Sequence, residues 1–256
     1  MKIATWNVNS LRVRSPLVLD WIKRNQPDVL CLQETKVTDA EFPTDELQRA
    51  GYAIAMTGQK SYNGVAIAAR KLMRNIRIGF HDAKPGEDAR LISATIGKVQ
   101  VYCCYVPNGK RMEDPAYEYK LAWLKRLRET LGEWSNPEKH VVVCGDFNVA
   151  TDSRDVYDPE LFRDQIHFSP KEHAALLRVK EFGLDDLYRT RHTEGGAFSW
   201  WDYRGGAFRK NQGMRIDYLF TSKSLTERTT RVWMDTEERG KEQPSDHIPV
   251  VAEFEV

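Results

Sequence analysis

The sequence predicts an α/β protein in which two β-sheets pack face to face and helices cover their outer surfaces. Three observations predict this layered sandwich. Strand-like and helix-like stretches alternate along the whole chain, many of the strand-like stretches are continuously apolar, and no linker, repeat or low-complexity tract divides the 256 residues. Continuous apolar runs are typical of central strands that are covered on both faces. We therefore expect one domain over residues 1–256.

Nine short apolar runs have the length and the residue types of strands. In chain order they cover residues 2–8, 28–33, 52–56, 64–69, 90–96, 99–106, 140–144, 215–221 and 249–256. Four segments repeat apolar residues at intervals of three and four, which predicts helices. The clearest stripe is formed by Leu121, Leu124, Leu127 and Leu131. The predicted helices cover residues 16–25, 43–50, 117–134 and 170–182.

The charge is balanced, with 38 Lys and Arg against 37 Asp and Glu and a net charge of +1. No overall electrostatic field therefore attracts a polyanion, and a nucleic-acid contact would have to use locally grouped charge.

No stretch approaches the roughly 18 apolar residues of a membrane span, and the start MKIATWNV lacks the features of a secretory signal. We expect a cytoplasmic protein without a membrane segment. Its cysteines should be buried, reduced thiols, because Cys31, Cys103, Cys104 and Cys144 lie in apolar runs without CxxC spacing.

Polar side chains stand where several predicted strands end. The six residues that follow or close an apolar run are Asn7, Asn9, Glu34, Tyr105, Asp146 and Asn148. Ligands of sheet proteins with covering helices bind in the crevice at one edge, outside the carboxyl ends of the strands. These six residues can therefore share one site.

The segment GDFN places Asp146 and Asn148 two residues apart, on one face of an extended chain. A carboxylate there can deprotonate a water molecule while the amide binds a phosphate oxygen. The alternative is a turn that ends the strand, since Gly, Asp and Asn are turn formers.

Glu34 stands at the end of an apolar strand, where a carboxylate needs a cation or a hydrogen-bond donor. It therefore predicts a bound cation, which Asn7 would help to hold. The alternative for Glu34 is a helix N-cap or a turn acid.

SDHIPV places Asp246 and His247 directly before the last apolar run. Histidine can donate to a phosphate oxygen, and Asp217 in RIDYLF can orient its ring. The alternative is that Asp217 pairs with Arg215 and that His247 caps a strand. The chain lacks GxSxG and HExxH, so serine and zinc hydrolysis are disfavoured. The remaining groups are those of metal-assisted attack of water on a phosphodiester.

Eight segments in the same order resemble the exonuclease III family of apurinic/apyrimidinic endonucleases. They are WNVNS, LQETK, YNGVAI, YVPNG, GDFNVA, FSWWDYR, RIDYL and SDHIPV. The resemblance implies a four-layered α/β sandwich of two packed mixed β-sheets flanked by helices. It also implies Mg²⁺ or Mn²⁺ as cofactor and double-stranded DNA with abasic sites, nicks or blocked 3′ ends as substrate. A monomer is expected.

The resemblance also implies residue roles. Glu34 and Asn7 resemble the metal site, which Asp246 joins when a second ion binds. Asp146 resembles the base that activates water, Asn148 a phosphate contact, and Tyr105 a phosphate or leaving-group contact. Asp217 and His247 resemble the orienting pair, and Trp200 the aromatic wall beside the deoxyribose.

DNA binding is expected from local basic and aromatic residues. One turn-rich segment combines Trp200, Trp201 and Phe208 with Arg204, Arg209, Lys210 and Arg215, and we expect it to face DNA rather than the core. Asn63 of YNGVAI and Asn108 of YVPNG are further predicted DNA contacts.

One position departs from the family pattern. Members that incise abasic sites usually carry Gly or Ser where this chain has His167, in QIHFSPKEH. An imidazole there would crowd an intact strand and tolerate a nicked end, which favours 3′-phosphatase and 3′ to 5′ exonuclease activity. The alternative is that His167 points to solvent and has no effect on which substrates are cut.

Two other functions of the chain stay open. One is a phosphoesterase for lipid or inositol phosphates, and the other is an inactive DNA-binding module.

Overall fold

The computed structural model describes residues 1–256 as twelve strands and five helices. In chain order these are β1 (Lys2–Asn7), α1 (Leu11–Asn25), β2 (Val29–Gln33), α2 (Thr44–Arg49), β3 (Ala53–Thr57), β4 (Val65–Ala69), β5 (Met73–Ile78), β6 (Leu91–Ile96), β7 (Val99–Tyr105), α3 (Pro115–Trp134), β8 (His140–Asp146), α4 (Pro170–Lys180), β9 (Leu184–Asp186), β10 (Asp217–Ser222), α5 (Lys223–Thr226), β11 (Thr229–Met234) and β12 (Val250–Phe254). Three short 3₁₀ turns lie at Asp39–Glu41, Ser153–Asp155 and Thr236–Gly240. No helix has the length and apolarity needed to cross a membrane.

The strands form two mixed six-stranded sheets. The first has the order β11-β12-β1-β2-β4-β3, and the second has the order β5-β6-β7-β8-β10-β9. In each sheet the central pair is parallel, β1 with β2 and β7 with β8, and the flanking pairs are antiparallel. The carboxyl ends of the central strands therefore meet at one edge of each sheet, and β10 and β12 begin at that edge.

Three large clusters of buried apolar side chains hold four layers together. A cluster of 22 buried residues lies between the two sheets. A second cluster of 19 residues joins the outer face of the β7–β8 sheet to α3 and α4, and a third of 16 residues joins the β1–β2 sheet to α1. Central strands are thus buried on both faces, which is why their sequences are continuously apolar. The predicted four-layered α/β sandwich is confirmed.

All nine predicted strands and four predicted helices are present, with small differences at their ends. The largest difference is α1, which begins at Leu11 and contains Pro16, whereas the sequence predicts a start at the proline. Proline removes one backbone donor, and the surrounding helix keeps its other hydrogen bonds. The four cysteines are buried and free, as expected.

Strands β5, β9 and β11 were not predicted. They lie at sheet edges, and β9 has only three residues. All residues of β5 after the first are exposed, so its sequence MRNIRI shows no continuous apolar run. Edge strands pair with only one neighbour and often carry charged residues. They therefore lack the continuous apolar runs that indicate central strands.

Candidate active site

The strand ends bring the predicted site residues to one edge of the sandwich. Asn7 closes β1, Glu34 follows β2, Tyr105 closes β7 and Asp146 closes β8. Asp217 starts β10 directly opposite Asp146 in the antiparallel register. A polar pocket of about 170 Å³ lies at this edge, and Asn7 and Asp217 stand behind its lining. Its walls include Glu34, Tyr105, Asn108, Asp146, Asn148, His167, Trp200, Asp246 and His247.

Asn7 connects the two sheets through its side-chain amide. Its Nδ2 donates to Glu34 Oε1 at 2.8 Å and to Asp146 Oδ2 at 2.9 Å. The other oxygen of Glu34, Oε2, lies 2.8 Å from Lys36 Nζ. Burial by itself raises the pKa of Glu34, but Lys36 and the Asn7 amide outweigh it and lower that pKa. Glu34 is therefore an ionised oxygen donor at neutral pH.

Asp146 and Asn148 form a compact unit after β8, as GDFN predicts. The Asn148 backbone N–H donates to Asp146 Oδ1 at 2.9 Å, and Asn148 Nδ2 donates to Val106 O at 3.0 Å. A positive φ of 51° at Asn148 makes this tight turn possible. Burial is the main cause that raises the pKa of Asp146 to about 7, while the nearby His247 opposes the rise. A carboxyl group with that pKa suits proton transfer near neutral pH.

His247 is held by Asp217, and the alternative pairing is wrong. His247 Nδ1 lies 2.8 Å from Asp217 Oδ2, which also accepts from Ser199 Oγ at 2.7 Å. Arg215 instead makes buried ion pairs with other acids, Asp155 and Asp186. Burial by itself lowers the pKa of His247, but Asp217 and Asp146 have the larger effect and raise that pKa to about 10. The ring is therefore a positively charged donor at neutral pH.

Three side chains lie close enough together to be considered as ligands of one metal ion. Glu34, Asp146 and His247 offer ligand atoms that all lie within 4.8 Å of one another. His247 is protonated and its Nδ1 is already bonded, so the two carboxylates are the available donors. Hard oxygen donors of this kind, few in number and open to further oxygens, suit Mg²⁺ or Mn²⁺. The residues present thus fit a hard divalent cation.

Asp246 holds other side chains in this arrangement. Its Oδ1 accepts from Asn9 Nδ2 at 2.9 Å, and its Oδ2 accepts from Trp200 Nε1 at 3.0 Å. The indole of Trp200 is thereby fixed as one wall of the pocket. Asp246 lines the pocket, as predicted, but it is outside the group of three potential ligands.

Tyr105, Asn108 and His167 form the opposite wall. Tyr105 carries the Arg90 guanidinium over its ring, 4.6 Å from the centroid. Burial and the neighbouring carboxylates raise the pKa of Tyr105, so its hydroxyl stays protonated. His167 Nδ1 lies 2.6 Å from Asn148 O, and its Nε2 lies 3.4 Å from Asn108 Nδ2. His167 is therefore fixed at the pocket and does not point freely to solvent.

A buried ion pair supports this wall from behind. Lys120 Nζ contacts Glu172 and also donates to Asn148 O at 2.6 Å and to Asn108 O at 3.2 Å. Glu172 accepts from the His167 backbone N–H at 3.1 Å. Lys120 and Glu172 thus join the loops that follow β7 and β8 to the start of α4.

The Trp-rich segment divides between core and surface, so its prediction as a DNA-facing loop was partly wrong. Trp201 is buried and packs with Phe198, Ala207 and Ile248, and Arg215 is buried in its ion pairs. Apolar side chains from a turn-rich stretch can form a small satellite core of this kind. Arg204, Arg209 and Lys210 are exposed, and Arg204 pairs with Asp202 at 2.8 Å.

Asn63 lies apart from the pocket wall. It is 7% exposed, and its backbone carbonyl accepts from Lys36 N at 2.9 Å. Its positive φ of 51° shows a turn in which the backbone carries the contact.

Sequence reasoning placed Asn9 at the site without giving it a role, and it missed Lys36 and Ser199; each of the three contacts a predicted site residue. Lys36 Nζ lies 2.5 Å from Asn9 Oδ1 as well as beside Glu34. All three stand inside the segments WNVNS, LQETK and FSWWDYR. Their position within these motifs was the available signal, but their own chemistry did not distinguish them from surface residues.

A sandwich that gathers carboxylates, amides and a buried imidazolium at one edge belongs to the class of hydrolytic phosphoesterases. The family model described as the Endonuclease/Exonuclease/phosphatase family matches residues 4–247. The chain therefore belongs to that family, and within it to the exonuclease III type.

Relatives and solved structures agree with this membership. The chain is 34% identical to the Exodeoxyribonuclease III of Haemophilus influenzae, with 99% of this chain and 100% of that protein covered. It is 30% identical to the DNA repair nuclease APEX1 of Danio rerio, over 98% of this chain and 81% of that protein.

Two solved structures are also similar over the whole length of both chains. A 3′ phosphatase, NExo, from Neisseria, bound to a product DNA hairpin, has a TM-score of 0.96, 38% identity and 100% coverage of each chain. An AP endonuclease from Archaeoglobus fulgidus has a TM-score of 0.97, 38% identity and 100% coverage of each chain.

Proposed function

We propose that the chain is a Mg²⁺-dependent DNA repair phosphodiesterase that acts on double-stranded DNA and favours the processing of 3′ ends. The observation that carries the proposal is the convergence of Glu34, Asp146, Asn148 and His247 in one pocket, from the ends of three different strands. The relatives named as exodeoxyribonucleases and DNA repair nucleases support DNA as the substrate.

The chain's own residues supply the proton transfers and the charge stabilisation. Asp146, with its pKa raised to about 7, takes the proton from the attacking water. His247, which stays protonated, donates to a non-bridging phosphate oxygen as negative charge develops there. Asn148 orients the same phosphate, and the Tyr105 hydroxyl faces the phosphate or the leaving oxygen.

Glu34 would hold the cation, with Asn7 fixing the carboxylates of Glu34 and Asp146 through hydrogen bonds. A divalent cation held there would neutralise phosphate charge and so stabilise the five-coordinate arrangement at phosphorus. Asp217 keeps the Nδ1 side of His247 occupied, which leaves Nε2 to face the pocket. Asp246 orients Trp200, against which a deoxyribose can pack.

The preference for 3′ ends rests on His167. The imidazole is bonded to Asn148 O and stands in the wall of the pocket, where a strand that continues past the phosphate would need space. A terminal 3′-phosphate needs no such space. The resemblance to a 3′ phosphatase from Neisseria supports this choice, while the equal similarity to an AP endonuclease keeps abasic-site incision as the second candidate.

Contacts to the DNA backbone are assigned to basic and polar side chains. Arg204, Arg209 and Lys210 are exposed in the segment that follows Trp200, and Asn108 stands at the pocket wall. Asn63, whose side chain is buried away from the pocket, would act through its turn. Electrostatic contacts of this kind make binding sensitive to salt.

The test uses two duplexes, one with a nick that bears a 3′-phosphate and one with an internal abasic analogue. With Mg²⁺ present, we expect faster release of the 3′-phosphate than incision at the abasic analogue, and a chelator should stop both while DNA binding persists. Equal rates on the two duplexes would refute the preference. Phosphate release from an inositol phosphate, without action on either duplex, would favour the phosphoesterase alternative, and binding without turnover would favour the inactive module.

A further inference from the structure

The two ends of the sandwich, where the outermost strands of both sheets lie, differ in how their backbone edges are covered. At one end, side chains from the segment after β9 reach β11, the edge strand of the other sheet. Arg191 donates to Thr229 O, and His192 Nε2 lies 3.0 Å from Val232 O. A free strand edge can pair with another chain, and covering it prevents such pairing. This end of the sandwich is therefore closed.

The opposite end, formed by β3 and β5, has no such cover. The two strands are the last of their sheets on this side and lie close to each other. No side chain makes a hydrogen bond with the backbone of either strand. Three aliphatic side chains in or beside β5 are also in contact with water, since Leu72 is 72% exposed, Ile76 48% and Ile78 55%. This end therefore combines a free backbone edge with exposed apolar surface.

The direction of Ile78 shows which surface is open. Ile78 pairs with Ile92 of β6, and Ile92 belongs to the apolar cluster between the two sheets. Paired residues of neighbouring strands point to the same face of a sheet. Ile78 therefore extends the inner face of its sheet beyond the part that β3 covers. An apolar side chain of another molecule can be buried there.

Positive charge accompanies this edge. Arg74 and Arg77 are exposed, and neither makes an ion pair. Their partners on β6 stand two residues apart, so both arginines point to one face of the sheet, opposite to that of Ile78. No Asp or Glu occurs from residue 47 to residue 81. Two further cations stand immediately before the strand, Arg70 and Lys71.

A second copy of the chain and DNA both fit this edge poorly. Two copies paired at β5 would bring their arginine side chains together, and like charges opposite each other destabilise a sheet. The irregular register between Arg74 and Arg77 adds twist, which also works against such pairing. DNA phosphates would pair with the cations but would leave Ile76 and Ile78 in water.

We propose that the edge of β5 is a docking site for an extended, acidic segment of a partner protein, which adds to the sheet as a further strand. Side chains alternate along a strand. Aliphatic residues of the segment therefore contact Ile76 and Ile78, while the acidic residues between them pair with Arg74 and Arg77. In recognition of this kind the backbone gives affinity and the alternate side chains give specificity. The docking site uses no residue assigned to catalysis.

A peptide of five Asp-Val repeats, labelled with fluorescein, has the alternation that the docking site requires. Fluorescence anisotropy should show that it binds wild-type protein, and that Arg74→Glu and Ile78→Asp each weaken binding at least tenfold. Arg178→Glu and Leu177→Asp are matched changes at exposed side chains of α4 and should bind the peptide like wild type. All four variants should release phosphate from a 3′-phosphate duplex at the wild-type rate.

Two further measurements separate strand addition from attraction by charge alone. A peptide with the same sequence but N-methylated valines lacks half of the backbone donors and should bind at least tenfold more weakly. Hydrogen exchange should show slower exchange of β5 amides when the unmodified peptide is bound, with β11 amides unchanged.

The docking site is overturned if the Asp-Val peptide does not bind wild type, or if all four variants bind it equally. Equal affinity for the N-methylated peptide would rule out strand addition. If the peptide does not bind and Arg74→Glu lowers the affinity for duplex DNA, the edge belongs to the DNA-binding surface instead.

Discussion

His247 and Asp217 join the two sheets at the proposed catalytic pocket through a hydrogen bond of 2.8 Å between Nδ1 and Oδ2. Asp217 begins β10 in one sheet, and His247 lies three residues before the start of β12 in the other. Both side chains are buried. The position and the charge of the imidazole therefore depend on the packing of the two sheets against each other.

Replacement of Asp217 by Asn should shift the pH dependence of the reaction. Burial lowers the pKa of His247, and Asp217 is the largest influence that raises it, to about 10. Without that carboxylate the pKa of His247 falls, so the protonated donor is lost at a lower pH. The alkaline limb of kcat against pH should move toward neutrality. An alkaline limb that stays where wild type has it would contradict this role of Asp217.

Asp146→Asn and His247→Asn should each reduce kcat on a 3′-phosphate duplex by at least about 10²-fold, since positioned acid and base groups contribute roughly 10² to 10⁴ each. Asp146 is buried and its pKa is raised, so loss of its charge removes an unfavourable buried anion. The thermal midpoint of Asp146→Asn should therefore equal or exceed that of wild type. Near-normal turnover by either folded variant would refute the assignment.

His167→Gly should increase abasic-site incision relative to 3′-phosphate removal by about tenfold or more. The change removes the imidazole from the pocket wall and suits the backbone, whose φ of +72° favours glycine. Asn75→Gly, at an exposed position with a φ of +50°, is the matched control for the gain of a glycine and should leave the ratio unchanged. The two rates are measured on otherwise identical duplexes. If the ratio in His167→Gly equals that in Asn75→Gly, His167 has no part in the preference.

Glu34→Gln should weaken Mg²⁺ binding at least tenfold, because it removes one of the two carboxylates in the group of three potential ligands. Isothermal titration calorimetry in the absence of DNA measures this affinity separately from catalysis. Glu41→Gln, at an exposed acid in a 3₁₀ turn, is the control and should bind Mg²⁺ like wild type. Equal affinity in both variants would remove Glu34 from the cation site.

Asp155→Asn should destabilise the fold in a manner that depends on pH. Burial raises the pKa of Asp155, but the buried Arg215 lowers it more, from 3.8 to about 2. The ionised carboxylate therefore stabilises the folded state by about 2 kcal/mol above pH 3.8, and this contribution is lost as the pH falls through about 2. Urea unfolding should show a large loss of stability in Asp155→Asn at pH 7 and a smaller loss at pH 3. A loss that is the same at both pH values would be inconsistent with the ion pair.

The sequence indicated the residues of the pocket better than their partners. Glu34, Asp146 and His247 interrupt apolar runs, and an ionisable group in such a place requires a specific partner. Arg215 stands in a similar run two residues before Asp217. Its neighbours in the sequence are compatible with an ion pair between Arg215 and Asp217 and also with a contact from Arg215 to DNA. The ion pairs that Arg215 makes with Asp155 and Asp186 span 60 and 29 residues of sequence. Local sequence patterns do not indicate contacts between residues that are so far apart in the chain.

By itself the sequence determined the class of fold and the set of chemical groups, because apolar periodicity and polar residues at strand ends are local properties. The tertiary structure decided that Trp201 belongs to a small core while Trp200 lines the pocket, and that Asp246 orients Trp200. It also decided that a second cavity lies behind His167 and Trp200. These outcomes depend on how two sheets and their loops pack against one another, and packing is set by contacts between residues that are distant in the chain.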